Sequence, residues 1–295
     1  VLLIAVWPML AGEWMLGRWG RQDLVRGMRR TVREVGASRG WVAIGWLSVL
    51  AALLILSFYS VIAGWSLGFA LRSAVGLMPG GDAANASEVF LNLAQDGERT
   101  LAWHTIFMVC ACIVVAHGLR SGLERITRYL LLTSVFFAAV LLLMAARLET
   151  MDEALAIWLH VDWSAMGWRG YFEAIQQACF SLSLGVGAMM IYGSYLSGDA
   201  PVGRLALLVI SLDTLFGIVA GTAVYALVFA SGQGPSPGLT MIFQTFPVAV
   251  ADMGNLASLS LYLMLAALTL ASAIALMEPV TVFLMERRRY TRVYA

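Results

Sequence analysis

The sequence predicts an all-α membrane protein of about seven transmembrane helices, one of them broken, and three observations lead there. Hydrophobic residues make up 60% of the chain and charged residues 13%, with a mean hydropathy of +0.81, a balance foreign to soluble globular domains. Apolar stretches near twenty residues, enough to cross a hydrocarbon core about 30 Å thick, recur at about 1–17, 41–72, 101–117, 126–146, 171–196, 203–230 and 257–285. The fifth stretch carries Gln177-Ala178-Cys179-Phe180-Ser181-Leu182-Ser183-Leu184-Gly185-Val186-Gly187, where serines and glycines alternate inside an apolar run.

The stretches are justified in order by the charges between them. All nineteen basic residues are arginine. The connection 18–40 holds seven, 118–128 holds three, 197–204 holds one and the tail 286–295 holds four, fifteen of the nineteen. The alternate connections are acidic, with Asp82, Glu88, Asp96 and Glu98 in one, Glu149, Asp152, Glu153 and Asp162 in the next, and Asp252 in the last. Positive charge stays on the cytoplasmic side of membrane proteins. The arginine-rich loops and the tail are therefore expected in the cytoplasm of a multi-pass inner-membrane protein, and all seven spans alternate consistently. An arginine-rich loop could also serve anionic lipid or nucleic acid; orientation is the simpler reading, and no nucleic-acid partner is expected.

The fifth span is expected to unwind at 182–187. Two glycines two residues apart each cost about 1 kcal/mol of helix propensity relative to alanine, and neighbouring hydroxyls can replace lost backbone hydrogen bonds. Broken backbone at membrane depth is tolerated where it is buried in protein or lines a wet cavity, and its free carbonyls and amides then bind ions or a polar solute. That pattern points to a transporter core. Of the outer connections, 75–100 and 231–256 are long enough to cover the mouth of such a site, and after the turn-rich Gly232 to Gly238 a short helical lid is expected at 239–251.

Carboxylates inside a membrane cost about 2.5–3.5 kcal/mol each on insertion scales, so each needs a reason. Glu173 lies at an outer span end, within reach of water. Glu13, near the inner arginines, and Glu278, next to Pro279, read as structural partners of other groups. Asp213 shares its helix with Gly217 and Gly221, a spacing that lets another helix approach. A buried carboxylate there is protonated, paired or bound to a cation; cation ligation is favoured over a structural hydrogen bond, and sodium suits oxygen ligands. Ile55 and Tyr59 share one helix face, a pattern found in cores more often than in sites. Cys110, Cys112 and Cys179 lie inside spans and imply no disulfide framework. His104, Cys110, Cys112 and His117 fall on several helix faces, so metal-ligand spacing is not met.

Taken together, four segments resemble the neurotransmitter:sodium symporter family, in particular its bacterial sodium-dependent amino-acid transporters. They are Gly12-Glu13-Trp14-Met15-Leu16-Gly17-Arg18, Tyr59 with Gly64-Trp65-Ser66-Leu67-Gly68-Phe69, Phe180-Ser181-Leu182-Ser183-Leu184-Gly185, and Ser272-Ala273-Ile274-Ala275-Leu276-Met277-Glu278-Pro279. The resemblance implies a partial five-plus-five inverted-repeat fold, with 1–295 as one transporter domain truncated at both ends and spanning about family helices two to eight. It implies that Tyr59 binds the substrate carboxylate, that Phe180 is an aromatic lid, and that Ile55, Ser183, Val186 and Leu276 line the side-chain pocket. Ser181 and Asp213 would ligate a first sodium, and the Leu268 carbonyl with the Ser272 hydroxyl a second. Ser181 and Ser272 also border the substrate. Ala271 stands where the family often places a hydroxyl or carboxylate ligand. Asp213 replaces an asparagine found in many members, which implies independence from chloride.

The function expected is sodium-coupled symport of a neutral, hydrophobic or aromatic amino acid by alternating access, with sodium co-transported and no organic cofactor. The chain alone, an internal fragment without the family's first helix, is expected to be inactive, and a homodimer is left open. The alternatives are a truncated, non-transporting membrane piece, a membrane-embedded enzyme or a channel. The sequence offers no paired catalytic carboxylates or nucleophile with its base for an enzyme, and no repeated filter segment for a channel.

Overall fold

In the computed structural model, residues 2–79, 82–159 and 167–295 are described, except for the side chain of Arg120; Val1 and Asp162 fall outside. Every regular element among the described residues is helical. A π-helical turn, Leu2–Val6, runs into α1 (Trp7–Gly20), and then come α2 (Leu24–Glu34), α3 (Val42–Ala74), α4 (Ala83–Gln95), α5 (Gly97–Ala116) and α6 (Arg125–Ala145). The second part holds α7 (Met151–Leu159), α8 (Trp168–Ser181), α9 (Ala188–Tyr195), α10 (Val202–Ala230), α11 (Phe246–Ala249) and α12 (Asn255–Arg288).

Among the described residues, five helical stretches are long and apolar enough to cross a membrane: Arg39–Ala74, Gly97–Ala116, Ser121–Ala145, Val202–Ala230 and Asn255–Arg288. They fall on five of the seven expected spans. The other two expected spans are the helix from Leu2 to Gly20 and the pair α8 and α9, which the break at 182–187 divides. At 33 residues α3 is about 50 Å long, well beyond a bilayer core. It packs along α12, the helix with the largest buried share.

Small residues set the closest crossings. Where α1 meets α9, a Cβ on Gly17 would stand 1.8 Å from the Met190 carbonyl oxygen and one on Gly193 2.4 Å from that of Trp14. Only glycine permits backbones so near. The chain leaves α1 through Arg21 in the left-handed region (φ 45°), and Asp23 then caps α2 by accepting from the amides of Val25 at 2.8 Å and Arg26 at 3.1 Å.

The expected lid at 239–251 is helical. A π-helical turn, Met241–Thr245, runs into α11 and a 3-10 turn, Ala251–Met253. Fully buried Phe243 anchors it, stacked on Phe90 with centroids 5.2 Å apart and edge-on to Phe69 at 5.1 Å, while the Tyr262 hydroxyl donates to the Ile242 carbonyl at 2.7 Å. The lid is thus fastened to α3, α4 and α12.

Candidate functional site

The break follows from local backbone chemistry. The amides of Leu182, Ser183 and Leu184 turn back to the carbonyls of Ala178, Phe180 and Cys179, which closes α8, and Ser183, Gly185 and Gly187 then adopt φ of 51°, 81° and 84°. Those positive values are cheap only for glycine. No backbone amide four residues on reaches the carbonyls of residues 181–184.

Two neighbouring helices hold the open turn. The Gly185 amide donates to Glu13 Oε1 at 2.6 Å, and the Ser48 hydroxyl donates to the Gly185 carbonyl at 3.2 Å. One residue thus has its donor fixed by α1 and its acceptor by α3. Glu13 thus acts as a structural partner, as expected, and its other oxygen, Oε2, is buried without a partner among the described residues.

A cavity of about 260 Å³ opens beside this turn. Ile55 and Tyr59 of α3 form one wall and Ser272 and Leu276 of α12 another. The rest comes from Phe180, Ser181, Ser183 and Val186, joined by Cys179 and Leu184. All eight residues assigned to the substrate by resemblance therefore border one cavity. Cys179 and Leu184 were missed, although both lie in the run that marked the break and flank residues that were chosen.

The residues assigned to sodium fall into two pairs. Ser181 Oγ donates to Asp213 Oδ2 at 2.7 Å, which joins α8 to α10 at the rim of the cavity. Leu268 and Ser272 lie one turn apart on α12; Ser272 borders the cavity and Leu268 packs into an apolar cluster. One expectation about Asp213 is corrected. It is exposed rather than buried, Gly217 faces open space, and at Gly221 the approaching group is the Trp158 ring of α7.

The remaining carboxylates are accounted for. Glu173 is exposed and pairs with Arg169 at 3.0 Å. Glu278 is fully buried, accepts from the Tyr195 hydroxyl at 2.5 Å, and pairs with Arg292, whose Nε donates to the Val115 carbonyl at 2.8 Å. The tail after α12 is non-helical and folds back to bring Arg292 there.

A helix broken at its middle, pinned by two others and facing a largely apolar cavity with a few hydroxyl groups, is the arrangement of membrane transporters with discontinuous helices. The description of the Sodium:neurotransmitter symporter family matches residues 89–293, and the chain belongs to that family of transporters. It is 29% identical over 84% of its length to YhdH, an uncharacterized sodium-dependent transporter of Bacillus subtilis, and covers 54% of that protein. A sodium-dependent transporter of Haemophilus influenzae is 22% identical over 97% of this chain and 64% of its own. Among solved structures, MhsT in complex with L-phenylalanine superposes with a TM-score of 0.87 at 31% identity, over 99% of this chain and 66% of MhsT. The chain thus spans about half to two thirds of the length of these proteins.

Proposed function

We propose that this chain forms the greater part of the binding core of a sodium-coupled symporter for a neutral, hydrophobic or aromatic amino acid. The observation that carries the reading is the single cavity at the helix break, which gathers the Tyr59 hydroxyl, serine hydroxyls and the apolar side chains of Ile55, Val186 and Leu276. An amino acid needs both kinds of surface, polar for its charged ends and apolar for its side chain. The relation to sodium-dependent transporters and to MhsT with its bound L-phenylalanine supports the same reading.

In this proposal Tyr59 donates to the substrate carboxylate, Phe180 closes the cavity from outside, and Ile55, Ser183, Val186 and Leu276 set side-chain size. Ser181 and Asp213 supply oxygens to a sodium beside the carboxylate, and the Leu268 carbonyl and Ser272 hydroxyl supply oxygens to a second. Bound sodium and the N-terminal end of α9 offset the cost of bringing a carboxylate out of water. Sodium and substrate then raise each other's affinity by one common factor, and an inward sodium gradient drives uptake. The negative charge of Asp213 makes chloride unnecessary. The seven spans lie in the inner membrane with the arginine-rich connections 18–40, 118–128 and 197–204 and the tail in the cytoplasm.

Uptake of labelled L-phenylalanine into proteoliposomes tests this, with the protein at the length of its relatives. Uptake should require an inward sodium gradient and be equal in chloride and gluconate. Uptake indifferent to sodium, or best competed by acidic or strongly basic amino acids, contradicts the proposal.

A further inference from the structure

The arginines of α2 do more than set orientation. The apolar face of this helix, Leu24, Val25, Met28 and Val32, is buried. Its position is locked by two close backbone crossings: a Cβ on Gly20 would stand 2.8 Å from the Gly27 Cα, and one on Gly45 2.6 Å from the Leu24 carbonyl oxygen. That packing turns Arg26, Arg29, Arg30 and Arg33 outward together, as their spacing of three and four residues requires.

These guanidinium groups differ in their partners. Arg26 is paired with Asp23 and Glu286, and Arg30 with Glu34 at 2.8 Å, while Trp19 also donates to Glu34. Arg29, Arg33 and Arg39 make no ion pair with any described residue. These three, with Val32 and Val42, line a cavity of about 450 Å³ between α2 and the start of α3.

Val42, one of the cavity's walls, begins an apolar stripe on α3. Trp46, Leu50 and Leu53 stand four, eight and eleven residues beyond Val42 on α3, within one narrow arc of the helix. They are 43%, 50% and 51% exposed. Three unpaired cations at one end of an apolar stripe match an anion attached to hydrocarbon chains, a pairing that a soluble phosphate or a nucleic acid would use only at the charged end.

We propose that the cavity bordered by Arg29, Arg33 and Arg39 is a binding site for an anionic phospholipid of the leaflet on the arginine-rich side. The guanidinium groups hold the phosphate of the headgroup, and the acyl chains lie along Val42, Trp46, Leu50 and Leu53. Guanidinium suits this task because its planar donors bind phosphate oxygens in pairs.

Native mass spectrometry of the detergent-solubilised protein, titrated with phosphatidylglycerol and with phosphatidylcholine of the same chains, tests the site. The wild-type protein should retain one phosphatidylglycerol at concentrations where it retains no phosphatidylcholine. R29Q/R33Q/R39Q should bind phosphatidylglycerol at least tenfold more weakly, as about fivefold per basic residue implies. The charge-matched control R204Q/R288Q/R289Q, which alters the same side of the protein elsewhere, should bind as wild type, and circular dichroism should show equal helix content in all three proteins. Equal retention of the two lipids, or equal loss in both triple variants, overturns the proposal and leaves only diffuse charge. Displacement of the lipid by millimolar inorganic phosphate or by a short single-stranded RNA overturns it too, because the site would then take soluble phosphates.

Discussion

The ion pair between Glu278 and Arg292 joins the segment after α12 to α12 itself, and removing the arginine alone should be far more costly than removing both partners. Glu278 is completely buried and the Arg292 side chain is 16% exposed, so solvent does little to screen the pair. In R292M the carboxylate keeps only the Tyr195 hydroxyl, at 2.5 Å. Breaking a buried pair from one side costs about 3–5 kcal/mol. In E278Q the amide still accepts from Tyr195, and Arg292, whose side chain keeps some exposure, retains the Val115 carbonyl. A loss of about 1–2 kcal/mol is expected there, the cost of a weakened hydrogen-bond set. Removing both charges in E278Q/R292M should return most of the R292M loss. Thermal unfolding in detergent, followed by size-exclusion chromatography after heating, gives the comparison. At about 2–4 °C per kcal/mol for a chain of this size class, R292M should melt at least about 6 °C below wild type, E278Q by less, and the double variant close to E278Q. Losses that add in the double variant would refute this reasoning, because they would mean that Arg292 contributes nothing through Glu278, and equal losses in the single variants would refute the asymmetry between the two partners.

Three further outcomes are expected. Y59F keeps the ring and removes the hydroxyl that the proposal directs to the substrate carboxylate, so substrate affinity by isothermal calorimetry should fall about tenfold or more, the worth of a hydrogen bond to a charged group; an unchanged affinity excludes that role. D213N keeps an oxygen opposite Ser181 and removes the charge, so the sodium concentration for half-maximal substrate binding should rise severalfold and chloride should begin to matter, as read in chloride and gluconate salts. G187A forces a side chain into φ 84° with its Cβ 2.4 Å from Leu24 Cδ1 and 2.9 Å from the Ser48 Cβ. A loss of about 2 kcal/mol or more is expected from left-handed strain and overpacking together, read as a lowered melting temperature.

The break and the lid were legible because their causes are local. Ser183, Gly185 and Gly187 carry positive φ in an apolar run, and Gly and Pro residues mark the turn before 239–251. The eight cavity residues came from resemblance rather than periodicity, since nothing in the apolar pattern of α3 distinguishes Ile55 and Tyr59 from core. The role of the Gly185 amide and carbonyl was not legible, because it depends on α1 and α3 meeting the turn from two sides over separations of 172 and 137 residues. The environment of Asp213 was misread for a related reason. Small-residue spacing states that a helix can be approached closely, but the group that approaches, here the Trp158 ring, is decided by topology.

The bonds at Gly185 bear on how a broken helix stays broken in one way. An unwound turn held only by glycine freedom would sample many conformations and bind ligands at an entropic cost of about 1–2 kcal/mol for each residue ordered. Here the Gly185 amide is bound to the Glu13 carboxylate and its carbonyl to the Ser48 hydroxyl, while Gly187 is pressed against the Leu24 side chain. The carbonyls of residues 181–184 are thereby arranged before any ligand arrives, and ordering has been met by folding rather than by binding. The same three anchors belong to α1, α2 and α3. Any movement of those helices against α8 and α9 must either carry the turn along or break its bonds, so the geometry of the cavity is tied to the relative position of the helices that surround it.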